Sequence, residues 1–126
     1  MASGLTLDSG ALIAAEKGER QFWALWKEAL DRGVPITVPA VVVAQVWRGN
    51  SPVVARILKG CEVEVLSEDR AKQAGRLLAA SRSADIVDAA VVVGAAKRQD
   101  AIVTSDVDDI GRLARVLGRA LAIVKI

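Results

Sequence analysis

Short apolar runs alternate with stretches of helical periodicity along the whole chain. Leu5 to Asp8 reads as a short strand ending in Asp-Ser-Gly, and Ala11 to Ala15 begins a helix. Between Gly18 and Arg32, the residues Phe22, Trp23, Leu25, Trp26, Ala29 and Leu30 recur at spacings of three and four, with Glu19, Arg20, Lys27, Glu28 and Asp31 between them. This is the pattern of an amphipathic helix, and Gly33 supplies its stop. Ile36 to Val38 predicts a second strand; Pro39 then opens a helix that runs through Gln45 to about Arg48, with Gly49 as its end. Ser51 to Leu58 reads as another short helix. The stretch CEVEVL, Cys61 to Leu66, alternates strictly and predicts an edge strand with Glu62 and Glu64 on one face and Val63 and Val65 on the other. Ser67 caps a helix reaching about Ser81. Ala84 to Arg98 is apolar nearly all round, so it predicts a buried helix with carboxylates at its front and Lys97 and Arg98 at its rear. Ala101 to Ser105 is a strand, Asp108 to Leu117 a helix and Leu121 to Ile126 a last strand. Such alternation of strand and helix predicts a parallel α/β sheet covered on both faces.

Composition narrows the chemistry more than the fold. The chain has 126 residues, 52% of them hydrophobic and 25% charged, which predicts one folded unit over residues 1–126. With aromatics at 3% the core must be aliphatic, and the Phe22, Trp23, Trp26, Leu30 stripe reads first as core and second as a docking surface. A net charge of +2 permits a polyanionic partner without demanding one. Cys61 is the only cysteine, which excludes an internal disulfide and a thiolate metal cage. The start MASGLTLDSG has no basic segment followed by an apolar one, and no window reaches the roughly 18 apolar residues of a spanning helix. A cytoplasmic protein with no membrane contact is the expectation. Histidine is absent, which removes imidazole general bases, Ser-His-Asp triads, His-bound zinc and His-pair RNA cleavage together.

What remains is carboxylate chemistry, and the acids fall in a telling pattern. Asp8 ends the first strand, Asp85 and Asp88 open the buried helix, and Asp106, Asp108 and Asp109 follow the strand AIVTS. In a parallel sheet the residues just past the carboxyl ends of the strands share one edge, and ligands bind there where strand order reverses. Carboxylates brought within a few ångströms repel by about 1 to 4 kcal/mol per pair, so such a cluster wants a cation. Oxygen ligands alone favour Mg²⁺ or Mn²⁺ over zinc. Such an ion suits phosphodiester hydrolysis without histidine. Some of these acids have a simpler reading: Asp85 and Asp88 stand at i and i+3 of a helix start, as capping residues do, and Asp108 and Asp109 are first-turn acids. The basic residues Lys72, Arg76, Arg82, Arg112, Arg115 and Arg119 read as solvated helix faces, and as a phosphate track only where they border the acidic edge. Arg48, Arg82 and Arg112 are the candidates for that contact.

Four stretches, LDSGALIAA (7 to 15), TVPAVVVAQVWRG (37 to 49), ADIVDAAVVVGAA (84 to 96) and IVTSDVDDI (102 to 110), together resemble the PIN-domain ribonucleases. Within that family the chain resembles the VapC-type toxins of type II toxin–antitoxin modules, over essentially its whole length. The resemblance implies a PIN-like three-layer α/β/α sandwich around a short, mainly parallel sheet, and a Mg²⁺- or Mn²⁺-dependent endoribonuclease acting on tRNA or ribosomal RNA. It assigns Asp8, Asp88 and Asp106 as metal ligands, Asp109 as an accessory acid, Asp85 as a nearby substitute and Ser105 as the hydroxyl residue that precedes the last aspartate. It further implies a VapB-type antitoxin as partner and a homodimer.

Gln45 departs from the pattern. The family has Glu there, as the second member of the acidic catalytic set, and an amide keeps the shape and one carbonyl oxygen while removing a full negative charge. Drift in a weakened enzyme, a substitution that makes a toxic enzyme tolerable to its host, and a differently tuned site would each produce it. Two further readings compete with the nuclease. One is a degenerate PIN-like module that binds RNA or antitoxin without cleaving. The other is a receiver-type α/β domain, which also gathers aspartates at a sheet edge; against it, no phosphate-cradling Gly-rich loop follows the first strand.

Overall fold

The structure, a computed structural model, describes residues 2–126. Its strands are β1 (Leu5–Leu7), β2 (Ile36–Pro39), β3 (Glu62–Glu64), β4 (Ala101–Thr104) and β5 (Ile123–Lys125). The helices are α1 (Ser9–Glu16), α2 (Arg20–Asp31), α3 (Ala40–Val46), α4 (Pro52–Lys59), α5 (Glu68–Ser81), α6 (Ile86–Arg98) and α7 (Val107–Leu117). All five strands form one sheet in the order β3-β2-β1-β4-β5, and every neighbouring pair is parallel. The alternation read from the sequence therefore holds, and the sheet is wholly rather than mainly parallel.

Handedness assigns the layers. The crossovers from β1 to β2 to β3 all step the same way, so right-handed connection puts α1 to α4 on one face. From β3 the chain returns across β2 and β1 to β4, which places α5 and α6 on the opposite face, where α7 joins them. This is the three-layer α/β/α sandwich that the sequence implied. Helix α6 lies between the sheet and its neighbours α5 and α7, so the eight consecutive residues Ala89–Ala96 are all buried. At about 1.5 to 3 kcal/mol per fully buried valine, Val91, Val92 and Val93 fix this helix between the sheet and the neighbouring helices. In α2 only the inner part of the aromatic stripe is core: Phe22 is buried, Trp23 and Trp26 are half-buried, and Leu30 is 49% exposed.

Two sequence expectations change. Helix α3 stops at Val46 rather than near Arg48, because Trp47 turns to an extended backbone after its N–H bonds to Val43 O. Strand β3 is at the sheet edge as expected, but it is shorter than read, Glu62–Glu64, and its one half-buried residue is an acid. Val63 is 44% and Val65 73% exposed, whereas Glu64 is half-buried. Glu64 turns inward because partners wait for it: its carboxylate pairs with Arg98 at the end of α6 and with Arg70 of α5 at 3.3 Å. The Arg98 guanidinium also bonds Asp100 at 2.9 Å and donates to Thr6 Oγ1 at 2.9 Å, and Thr6 donates to Asp100 at 2.8 Å. Space for the carboxylate comes from Gly94, where a Cβ would meet Glu64 Oε1 at 2.6 Å. The network ties both ends of the α5–α6 crossover to the middle of the sheet.

Removing one partner of such a half-buried network strands the others. Arg98→Ala is expected to lower unfolding free energy by about 3 kcal/mol, at the low end for a broken buried pair. Val63→Thr should change it by less than about 0.5 kcal/mol, as an exposed position does. Urea unfolding of the two variants checks the inward turn of Glu64: a larger loss for Val63→Thr than for Arg98→Ala would contradict it.

Candidate metal centre

Aspartates cap three helices at the carboxyl edge of the sheet. Asp8 Oδ1 accepts the Ala11 N–H at 3.0 Å at the start of α1, and Asp85 Oδ1 accepts the Asp88 N–H at 2.9 Å at the start of α6. Asp106 Oδ1 accepts the Asp109 N–H at 3.3 Å at the start of α7. The positive end of each helix dipole therefore faces a carboxylate, which favours its negative charge. Strand order reverses between β1 and β4, and Asp8 follows the one while Asp106 follows the other. The acids border the crevice where parallel sheets bind ligands.

One carboxylate oxygen from each of Asp88, Asp106 and Asp109 lies within 4.8 Å of the other two. Asp8 is outside that trio and deeper, at 5% exposure, but it feels the Asp106 charge and acts in turn on Asp88. Burial is the main reason its pKa is raised; hydrogen bonds from Thr104, Ala11 and Gly10 oppose the shift. Asp88 is pushed up to about 7 from 3.8, first by desolvation and then by the charges of Asp85, Asp106 and Asp8. Asp109 is raised through its hydrogen bond and repulsion with Asp106, and Arg112 offsets this in part. A carboxyl that keeps its proton near neutrality among other acids is the electrostatic signature of a site that lacks positive charge. The donor set is all oxygen and suits a hard divalent cation held by one or two carboxylates with water completing its shell. The residues fit such an ion. Asp85 and Asp108 are both exposed and outside the trio, Asp85 accepting the Asp88 N–H as the cap of α6.

Gln45, on α3, reaches this edge. Its Oε1 accepts a hydrogen bond from Ser9 Oγ, the residue after Asp8. This contact places Gln45 beside α1 at the crevice. Ser105 packs on Gly10: a Cβ at Gly10 would collide with the Ser105 hydroxyl and lie 3.0 Å from its Cβ. The close approach of α1 to the β4–α7 turn needs that glycine. Two further residues escaped the sequence reading. Buried Thr104 accepts the Asp106 N–H at 2.8 Å, and its side chain is among the groups that hold the Asp8 pKa down, so it stands between the acids that follow β1 and β4. Ser9 is the other. Both flank aspartates in DSG and TSD, and that adjacency is the signal available in sequence.

The candidate phosphate contacts divide. Arg112 is exposed on α7, its charge reaches Asp109, and one of its nitrogens donates to Ser81 O at 2.8 Å. Arg82 is exposed in the α5–α6 turn, with the left-handed backbone φ 56°. Arg48 bonds the carbonyls of Trp47 and Ala44 beyond the end of α3. Lys72 is paired with Glu68 on α5. Among the described residues no helix is long and apolar enough to cross a membrane.

No protein-family model matches the chain, and no curated protein matches it. Solved structures do. VapBC2 from Rickettsia felis, bound to a DNA fragment from their promoter, aligns with TM-score 0.74 and 15% identity over 97% of this chain and 98% of that one. A toxin–antitoxin complex from Klebsiella pneumoniae aligns with TM-score 0.67 and 20% identity over 85% and 89%. FitAB bound to an IR36 DNA fragment aligns with TM-score 0.67 and 10% identity over 96% and 94%. At these identities the likeness is one of fold, and the PIN-like sandwich implied by the sequence is the fold observed.

The raised Asp88 pKa carries a sign. The folded state holds a proton that the unfolded chain releases near 3.8, so the stability contributed is full below about pH 4 and lost as pH rises through about 7. Without metal, Asp88→Asn should therefore melt above the native chain at pH 8, and the gap should close toward pH 4. Adding Mg²⁺ at pH 8 should raise the native melting temperature and leave that of the variant nearly unchanged. Equal melting curves across this range would contradict the electrostatic reading.

Proposed function

We propose that this chain is a VapC-type endoribonuclease toxin, a single PIN domain over residues 1–126, dependent on Mg²⁺ or Mn²⁺ and attenuated by Gln45. The observation that carries the reading is the acidic trio at the strand-order reversal, on a fold shared with chains of toxin–antitoxin complexes. In this reading Asp8, Asp88 and Asp106 hold the ion and Asp109 assists from the rim. When bound, the ion would activate a water for attack on an RNA phosphodiester and offset charge on the leaving oxygen. The protein supplies geometry around it. The helix caps made by Asp8 and Asp106, with Thr104 beside them, fix these two carboxylates before substrate arrives, which limits the reorganisation the reaction needs. Arg112 gives up one nitrogen to Ser81 and offers the rest of its guanidinium to a phosphate beside Asp109, with Arg82 and Arg48 as outer contacts. An open edge of this kind accepts single-stranded loops, as in tRNA or ribosomal RNA, more readily than a duplex.

A VapB-type antitoxin and a second copy of the chain are the proposed partners, and the cytoplasm the proposed location. The neighbouring structures are toxin–antitoxin complexes, which supports the first. Exposed Val65, Leu66 and Ile86 supply apolar surface near the same edge for the second.

Gln45 favours one alternative, a PIN-like module that binds RNA or antitoxin and no longer cleaves. A neutral amide offers a cation one carbonyl oxygen and no charge, and that oxygen also accepts from Ser9. Cleavage of total RNA in Mg²⁺ or Mn²⁺ separates the two. Gln45→Glu should raise the rate by roughly tenfold to a hundredfold, the scale on which ligand-supporting groups act. Asp8→Asn and chelator should abolish it. RNA binding that survives chelation, with no cleavage even after Gln45→Glu, would instead establish the binding module.

A further inference from the structure

The α5, α6 and α7 layer carries an open surface cavity of about 450 Å³ that the acidic edge does not explain. Its floor is apolar: Leu77, Val93 and Ala96 are buried, and Leu117 is half-buried. Its rim carries three cations from three different elements, Arg76 of α5, Lys97 of α6 and Arg119 just past α7, and no carboxylate lines it. Among the described residues none of the three forms an ion pair. Arg119 is held in place by donating to Ala96 O at 2.9 Å. Lys97 lies roughly 13 Å further along α6 than Asp88, at about 1.5 Å per residue, so the cavity is separate from the acidic crevice.

We propose that this cavity binds a small amphiphilic anion, an acidic headgroup on a short apolar body. The volume falls in the range of small-molecule sites, about 300 to 1,000 Å³. Charge complementarity sets the sign of the ligand, since the three rim cations, none of them ion-paired among the described residues, border one apolar floor. The apolar floor requires more than an inorganic ion. Nucleic acid fits less well: the lining has no aromatic side chain on which a base could stack.

Octyl phosphate at monomeric concentrations is the probe, with inorganic phosphate and octanol as the two halves of its chemistry. Amide shifts in the nuclear magnetic resonance spectrum of the full chain locate and measure binding. Octyl phosphate should bind at least about tenfold more tightly than either half, because headgroup and body act together. The shifts should map to residues 73–80, 93–97 and 116–119. Arg76→Ala with Lys97→Ala should weaken it, and Ala80→Trp, which fills the cavity from an exposed position, should abolish it; the same spectra verify that both variants are folded. Binding no tighter than phosphate or octanol, shifts centred on residues 85–88 and 106–109, or unchanged affinity in both variants would each overturn the inference. The experiment uses neither RNA nor metal, so its failure leaves the nuclease reading untouched.

Discussion

Like charges gathered at one edge of a sheet are the constraint on which the rest of this structure turns. Asp8, Asp88, Asp106 and Asp109 repel one another, and the raised pKa values of Asp8, Asp88 and Asp109 record that strain together with the burial of the first two. A fold keeps such a group only where something offsets it. Here the offsets are structural on the protein side: the helix N-termini that Asp8 and Asp106 cap, and the Thr104 hydroxyl. They hold Asp8 and Asp106 in place without neutralising the cluster, whose oxygen donors suit a cation.

On that account Gln45 is the adjustable element. A glutamate there would add charge to an already crowded edge and tighten the hold on a divalent ion. The amide relieves the repulsion, and its oxygen turns to Ser9. The same substitution that makes the metal-free fold easier to keep should make the ion harder to hold. This trade couples stability to activity at one position, through charge and with almost no change of shape.

Much of this was legible in the sequence because it is written in local order. Strand, Asp, helix start recurs at Asp8 and Asp106, and the parallel alternation brings those two positions to one edge. Gln45 stood out because its flanking Pro39 and Trp-Arg-Gly matched a pattern that its own side chain broke. The inward turn of Glu64 was not legible. Its partner Arg98 lies 34 residues away, and the room it occupies depends on Gly94 on a different element. Alternation along CEVEVL reports side-chain chemistry one strand at a time, whereas burial at a sheet edge is decided by what the opposite helix offers. Arg112 shows the same limit: its bond to Ser81 spans 31 residues and fixes how much of the guanidinium is free. Gly10 is a third case, since its need for a bare Cα comes from Ser105, on a turn that meets it only in the folded chain.

Direct measurement of Mn²⁺ binding, by electron paramagnetic resonance of free ion in titrations of the native chain, Gln45→Glu and Asp88→Asn, tests the central claim. The account predicts weak binding by the native chain, binding at least about tenfold tighter by Gln45→Glu, and none resolved for Asp88→Asn. Equal affinity in all three would mean that the acidic edge is not a metal centre, and that its carboxylates serve only to cap helices.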